Sequence, residues 1–120
     1  MSKRVLVVDD SRFICEQMKL ILKDTEFEVI DYCTTAEDAL EAYPKLLPDI
    51  ITMDIILPGM DGLEASEKLL EEYPEAKIVV VSSLAYDETE DKAAQLGIKS
   101  FVFKPFEGDD LIQALYRTLE

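Results

Sequence analysis

The chain predicts an α/β fold: a doubly wound, five-stranded parallel sheet with five helices distributed over its two faces. Three observations carry that prediction. Short strand-like runs alternate with amphipathic helical stretches five times over the 120 residues, a pattern that closes as a parallel sheet covered on both sides. The runs at 5–8, 50–53 and 78–81 carry no charged residue, as strands buried on both faces do. The run 27–31 instead alternates apolar and polar residues, the mark of an edge strand. Three central strands and that edge give the strand order 2-1-3-4-5, the flavodoxin-like winding.

Each element follows from local chemistry. Arg4 to Val8 is a β-branched run that stops at Asp9-Asp10. Ser11 is placed to cap a helix whose apolar residues Ile14, Met18, Ile21 and Leu22 recur at helical spacing. Phe27 to Asp31 is the edge strand. Thr35 opens a short helix through Ala36, Ala39, Leu40 and Tyr43, expected to stop near Pro44 to Pro48. Asp49 to Met53 forms the third strand, and Pro58, Gly59 and Gly62 force a loop after it. Leu63 to Tyr73 reads as a helix with Leu63, Ser66, Leu70 and Tyr73 on one face, ended by Pro74. Lys77 to Val81 is the fourth strand, followed by Ser82-Ser83. Tyr86 to Leu96 is a very acidic helix closed by Gly97. Lys99 to Phe103 is the fifth strand, and Gly108 to Leu119 a last helix with Leu111, Leu115 and Leu119 in register.

Composition narrows the function classes. The 120 residues are read as one domain, 1–120, long enough to build a core without disulfides or a structural metal. Twelve basic against 26 acidic residues give a net charge of −14. That argues against nucleic acid or an anionic membrane surface as a direct partner, because phosphate contacts need clustered Lys and Arg. No apolar stretch approaches the ~20 residues of a membrane span, and the run after Lys3-Arg4 is too short for a signal peptide. Cys15 and Cys33 read as buried thiols in a reducing cytoplasm. With no histidine, Ser-His and Cys-His catalysis are excluded, and a zinc site is disfavoured.

The chemistry lies at the strand ends. Asp54 follows a buried strand, at the edge where open α/β sheets bind ligands. With strands 1 and 3 adjacent, Asp9, Asp10 and Asp54 converge, and three carboxylates that close repel unless a cation sits among them. An all-oxygen set with few protein contacts suits Mg²⁺. Ser82 ends strand 4 with a hydroxyl and Lys104 ends strand 5 with an ammonium, donors that make a cradle for an oxyanion such as a phosphoryl group. Taken singly, Asp54 is a turn starter, Asp9-Asp10 a helix start, Ser82 a cap and Lys104 a solvated loop charge. Their joint placement at the ends of strands 1, 3, 4 and 5 favours a site.

These motifs, Val-Leu-Val-Val-Asp-Asp-Ser, Asp-Ile-Ile-Thr-Met-Asp-Ile-Ile-Leu-Pro-Gly-Met-Asp-Gly, Val-Val-Val-Ser-Ser and Phe-Val-Phe-Lys-Pro-Phe, together resemble the receiver domain of two-component response regulators, over the whole chain. The resemblance is greatest to the family's single-domain chemotaxis members. It implies that Asp54 accepts a phosphoryl group from a phosphohistidine on a histidine kinase. It implies that Asp10, Asp54 and the Ile56 main-chain carbonyl bind Mg²⁺, with Asp9 assisting largely through water. Lys104 would pair with the phosphoryl oxygens, and Lys104-Pro105 would be a cis peptide. Ser82 would move toward the phosphoryl group and Phe101 rotate inward behind it, remodelling the helix 4–strand 5–helix 5 face for a downstream protein target. The only chemistry implied is the protein's own phosphorylation and dephosphorylation, so no enzyme acting on other substrates is expected. A monomer is expected; a dimer face on helices 4 and 5 stays open, and self-association through the acidic stretch Tyr86 to Asp91 would need compensating cations.

Three departures from the family pattern bear on the reading. Phe101 stands where enteric chemotaxis members carry Tyr, which removes a hydroxyl contact to a target. Ser82 replaces the commoner Thr and keeps the hydroxyl. Ile56 and Leu84, two residues after Asp54 and Ser82, are apolar, and the hypothesis is that they shield the acyl phosphate from water. An aspartyl-phosphate phosphatase would need a second Asp at position 56, where Ile56 stands. A flavin site would want glycines where Asp9-Asp10-Ser11 stand. An inert scaffold would have no use for the acidic set. The chain ends directly after the last helix, so the expectation is a stand-alone regulator, a module of a larger one, or a phosphorelay intermediate.

Overall fold

The computed structural model describes residues 2–83 and 89–120. Leu84 and the start of the helix expected from Tyr86 lie outside the described residues. The elements are β1 (Lys3–Val8), α1 (Arg12–Leu22), β2 (Phe27–Cys33), α2 (Ala36–Leu46), β3 (Ile50–Asp54), α3 (Gly62–Glu72), β4 (Ile78–Ser82), α4 (Thr89–Gln95), β5 (Ser100–Phe103) and α5 (Gly108–Thr118). All strand pairs are parallel, and the sheet order is β2-β1-β3-β4-β5. The expected winding is therefore the observed one.

The sheet separates two apolar layers. Leu6, Val8, Ile51, Met53 and Val80 face α2, α3 and α4 through Ala36, Ala39, Ala65, Leu69 and Ala93. Val5, Val7, Val79, Val81 and Val102 face α1 and α5 through Cys15, Met18, Leu22, Leu111, Ala114 and Leu115. Alternate residues of one strand thus serve opposite layers, which is why the fully buried stretches 5–8, 50–53 and 78–81 carry no charge. Edge strand β2 is only partly covered along its middle, and its register to β1 shifts between Val5 and Leu6. Among the described residues, no helix is long and apolar enough to cross a membrane.

The end of α2 matches the sequence expectation, and the buried face of α3 differs from it. Helix α2 ends between Pro44 and Pro48: it runs to Leu46 and closes at a left-handed Leu47 (φ 46°). The proline lies near the helix end, where its missing N–H removes one bond. The buried Tyr43 ring, 4.9 Å from that of Tyr73, keeps the last turn on the core. In α3 the buried stripe is Gly62, Ala65, Ser66 and Leu69, while Leu63, Leu70 and Tyr73 sit at its margin. The small residues let α3 approach the sheet, and the Ser66 hydroxyl is satisfied by donating to the Gly62 carbonyl at 2.8 Å.

Candidate functional site

Parallel winding puts the carboxyl ends of the strands along one rim of the sheet, and the register aligns them. Val8 pairs with Met53, so the next residues, Asp9 and Asp54, emerge side by side. Asp54 pairs with Val81, and Ser82 pairs with Phe103, one residue before Lys104. The Lys104 N–H donates to the Ser82 carbonyl at 2.8 Å, which ties the ends of β4 and β5 together. The Lys104-Pro105 peptide is cis, as the family resemblance implied.

One carboxylate oxygen from each of Asp9, Asp10 and Asp54 lies within 4.8 Å of the others. Asp9 and Asp54 are buried and Asp10 is exposed, so the cluster opens to solvent on the Asp10 side. Asp9 is held from both ends: its N–H donates to the Cys33 carbonyl at 3.0 Å, and its Oδ1 accepts from the Ser11 N–H at 2.9 Å. Lys104 Nζ lies 2.8 Å from Asp9 Oδ2 and 3.3 Å from Asp54 Oδ2. The shorter contact pairs the ammonium directly with the buried Asp9 carboxylate. The Asp54 contact meets hydrogen-bond geometry.

The electrostatics match this crowding. Burial pushes the Asp54 carboxyl above its ordinary 3.8, and the neighbouring Asp9 adds to the rise while Lys104 opposes it. For Lys104, burial works to lower the pKa, but the pairing with Asp9 and Asp54 outweighs it and the ammonium ends above its ordinary 10.5. Three carboxylates against one ammonium leave a formal charge of −2. A ligand set made wholly of carboxylate oxygens, two of them buried and one exposed, with a net negative charge, fits a hard divalent cation that keeps part of its water.

The other expected residues are placed as follows. Ser82 is buried at the end of β4. Phe101 is half-buried against the α2–α4 layer, its ring stacked with that of Phe103 at 6.3 Å. Ile56 follows Asp54 by two residues, with its side chain 56% exposed. Neither Phe101 nor the Ile56 side chain joins the carboxylate cluster.

Two supporting features were not legible in the sequence. The Cβ position of Gly62 lies 1.9 Å from the Asp54 carbonyl oxygen, so α3 starts in direct contact with the backbone of that aspartate. Glu37, in the first turn of α2, accepts from the Met60 N–H at 3.2 Å across 23 positions of sequence. The glycines around them were the available signal, since each marks a close approach.

The sequence model of the response regulator receiver domain matches residues 5–116. The chain belongs to the response regulator receiver family. This receiver is 38% identical to the chemotaxis protein CheY of Thermotoga maritima over 96% of each chain. It is 40% identical to CheY of Treponema pallidum over 98% of this chain and 83% of that protein. Among solved structures, it superimposes on a chain of the CheX–CheY–BeF3–Mg²⁺ complex of Borrelia burgdorferi with TM-score 0.92 at 28% identity, covering 98% of this receiver and 90% of that chain. The receiver domain of Thermotoga maritima CheB follows at TM-score 0.90 and 28% identity, over 99% and 97%.

Proposed function

We propose that this receiver is a CheY-like phosphoacceptor: Asp54 takes a phosphoryl group from a phosphohistidine of a histidine kinase. The observation that carries the reading is the buried Asp54 carboxylate, paired at 3.3 Å with Lys104 and clustered with Asp9 and Asp10 at the open rim of the sheet. The relative solved with BeF3 and Mg²⁺ supports it.

In the transfer, an Asp54 carboxylate oxygen attacks phosphorus. The P–N bond to the donor imidazole breaks, and its electron pair stays on the nitrogen. The product on Asp54 is an acyl phosphate. Asp10, Asp54 and the Ile56 main-chain carbonyl, with Asp9 through water, would hold Mg²⁺, whose charge offsets that of the phosphoryl oxygens. Lys104, already tethered between Asp9 and Asp54, neutralises negative charge on the transferring group. Asp9 and Asp54 are buried at that rim, and their low-dielectric surroundings strengthen the pairing. The protein acts on no carboxyl but its own: hydrolysis returns the Asp54 carboxylate when water attacks phosphorus and the P–O bond to Asp54 breaks.

Readout follows from the same residues. The Ser82 hydroxyl shifts toward the phosphoryl oxygens, and the half-buried Phe101 ring turns into the space behind it. The α4–β5–α5 face then presents a second arrangement to a protein target. Incubation with acetyl phosphate and Mg²⁺, followed by intact-mass measurement, tests the central step. An added mass of about 80 Da is expected on the parent protein and none on Asp54→Asn. A parent protein that stays unlabelled in donor excess overturns the reading.

A further inference from the structure

We infer that Glu37 is a positioning residue for the phosphoacceptor site: its carboxylate holds the β3–α3 loop through the Met60 N–H, and so holds the Ile56 carbonyl toward the bound cation. The inference rests on the proposed role of that carbonyl.

The loop runs from Ile55 to Asp61 and is well fixed at its two ends. The Ile55 N–H donates to Val81 at 3.3 Å, and the Gly62 N–H returns to the Ile55 carbonyl at 2.9 Å. Asp61 caps α3 by accepting from the Glu64 N–H at 2.8 Å. The Ile55 and Leu57 side chains are buried. Between Leu57 and Asp61, the tether found among the described residues is the bond from Met60 N–H to Glu37 Oε2, at 3.2 Å.

A second observation places the same carboxylate in a prepared seat. Gly59 has φ +77°, and a Cβ on it would lie 2.8 Å from Glu37 Oε2 and 3.5 Å from Cδ and Oε1. The absent side chain is thus the space the carboxylate occupies. Glu37 is itself fixed from below. Thr35 caps α2 by accepting from the Asp38 N–H at 3.1 Å, and Ala36 and Ala39 are fully buried against the sheet. The carboxylate therefore acts as a strut from a rigid helix to an exposed loop. Loops of this kind open at little cost, so one hydrogen bond has leverage over the position of Ile56.

Glu37→Gln keeps an acceptor oxygen for the Met60 N–H and removes the charge; Glu37→Ala removes both. Titration with Mg²⁺ alone by calorimetry, together with amide exchange at Met60, separates bond from charge. Glu37→Ala is expected to bind Mg²⁺ roughly five-fold more weakly, the loss of one modest hydrogen bond, with faster Met60 exchange and global unfolding little changed. Glu37→Gln should bind as the parent does. The inference is overturned if Glu37→Ala binds as tightly as the parent, or if Glu37→Gln loses as much as Glu37→Ala. A parent protein that binds no Mg²⁺ would instead sink the proposed function, and this inference with it.

Discussion

Gly62→Ala places one methyl group against the backbone of the phosphoacceptor. Gly62 starts α3 without a left-handed φ, so by itself alanine would be tolerated and even favoured, by about 0.4–1 kcal/mol through the unfolded chain. The contact reverses the sign. The new Cβ would stand 1.9 Å from the Asp54 carbonyl oxygen, 2.8 Å from its carbon and 3.0 Å from Ile55 Cα, where ordinary contact begins at 3.4 Å. Relief requires a separation of about 1.5 Å between two backbone segments, the difference of those two distances. Neither is free to move. Asp54 is paired in the sheet to Val81, and α3 is seated by the fully buried Ala65 and Ser66. Overpacking of this kind costs on the order of 1–3 kcal/mol or more, so a net loss of about 2 kcal/mol is expected in urea unfolding. Displacement of Asp54 relative to Lys104 by about 1 Å should also slow phosphorylation by acetyl phosphate by roughly 100-fold. A variant that unfolds within about 0.5 kcal/mol of the parent and phosphorylates at the parent rate would refute the reasoning.

Lys104→Ala leaves Asp9 and Asp54 buried and facing each other, with an expected loss of about 3 kcal/mol at neutral pH that Mg²⁺ partly restores. Since the folded Asp54 pKa is raised, its protonation favours the folded state. The deficit should therefore shrink as pH falls through that pKa, and a deficit independent of pH and Mg²⁺ would refute the pairing. Cys15 and Cys33 are both pushed up to about 11, chiefly by burial. A raised folded pKa gives stability that is complete below the ordinary 9.0 and lost as pH rises through about 11. Both thiols should accordingly resist an aromatic disulfide reagent at mildly alkaline pH until denaturant is added, and immediate labelling of the folded protein would contradict their burial. Ile56→Asn should shorten the lifetime of phosphorylated Asp54 if the apolar side chain screens the acyl phosphate, as decay followed by intact mass would show. An unchanged lifetime would leave the 56% exposed Ile56 without that role.

Much of the architecture is carried by local information. The charge-free runs at 5–8, 50–53 and 78–81 can be buried on both sides only at the centre of a parallel sheet, which settles strand order and puts Asp9, Asp54, Ser82 and Lys104 on one rim. Carboxylates, hydroxyl and ammonium are single-residue chemistry, so their identity was readable before their distances were. The tertiary structure alone decided the rest. It set which residues of α3 meet the sheet, because Ala65 and Ser66 are buried for their size rather than their hydropathy. It also placed the end of α2 at Leu46, within the expected stretch from Pro44 to Pro48. The 2.8 Å approach of Lys104 to Asp9 and the reach of Glu37 to the Met60 N–H join positions far apart in sequence. Such contacts leave no periodic trace, since they depend on how the chain closes on itself rather than on its neighbours along it.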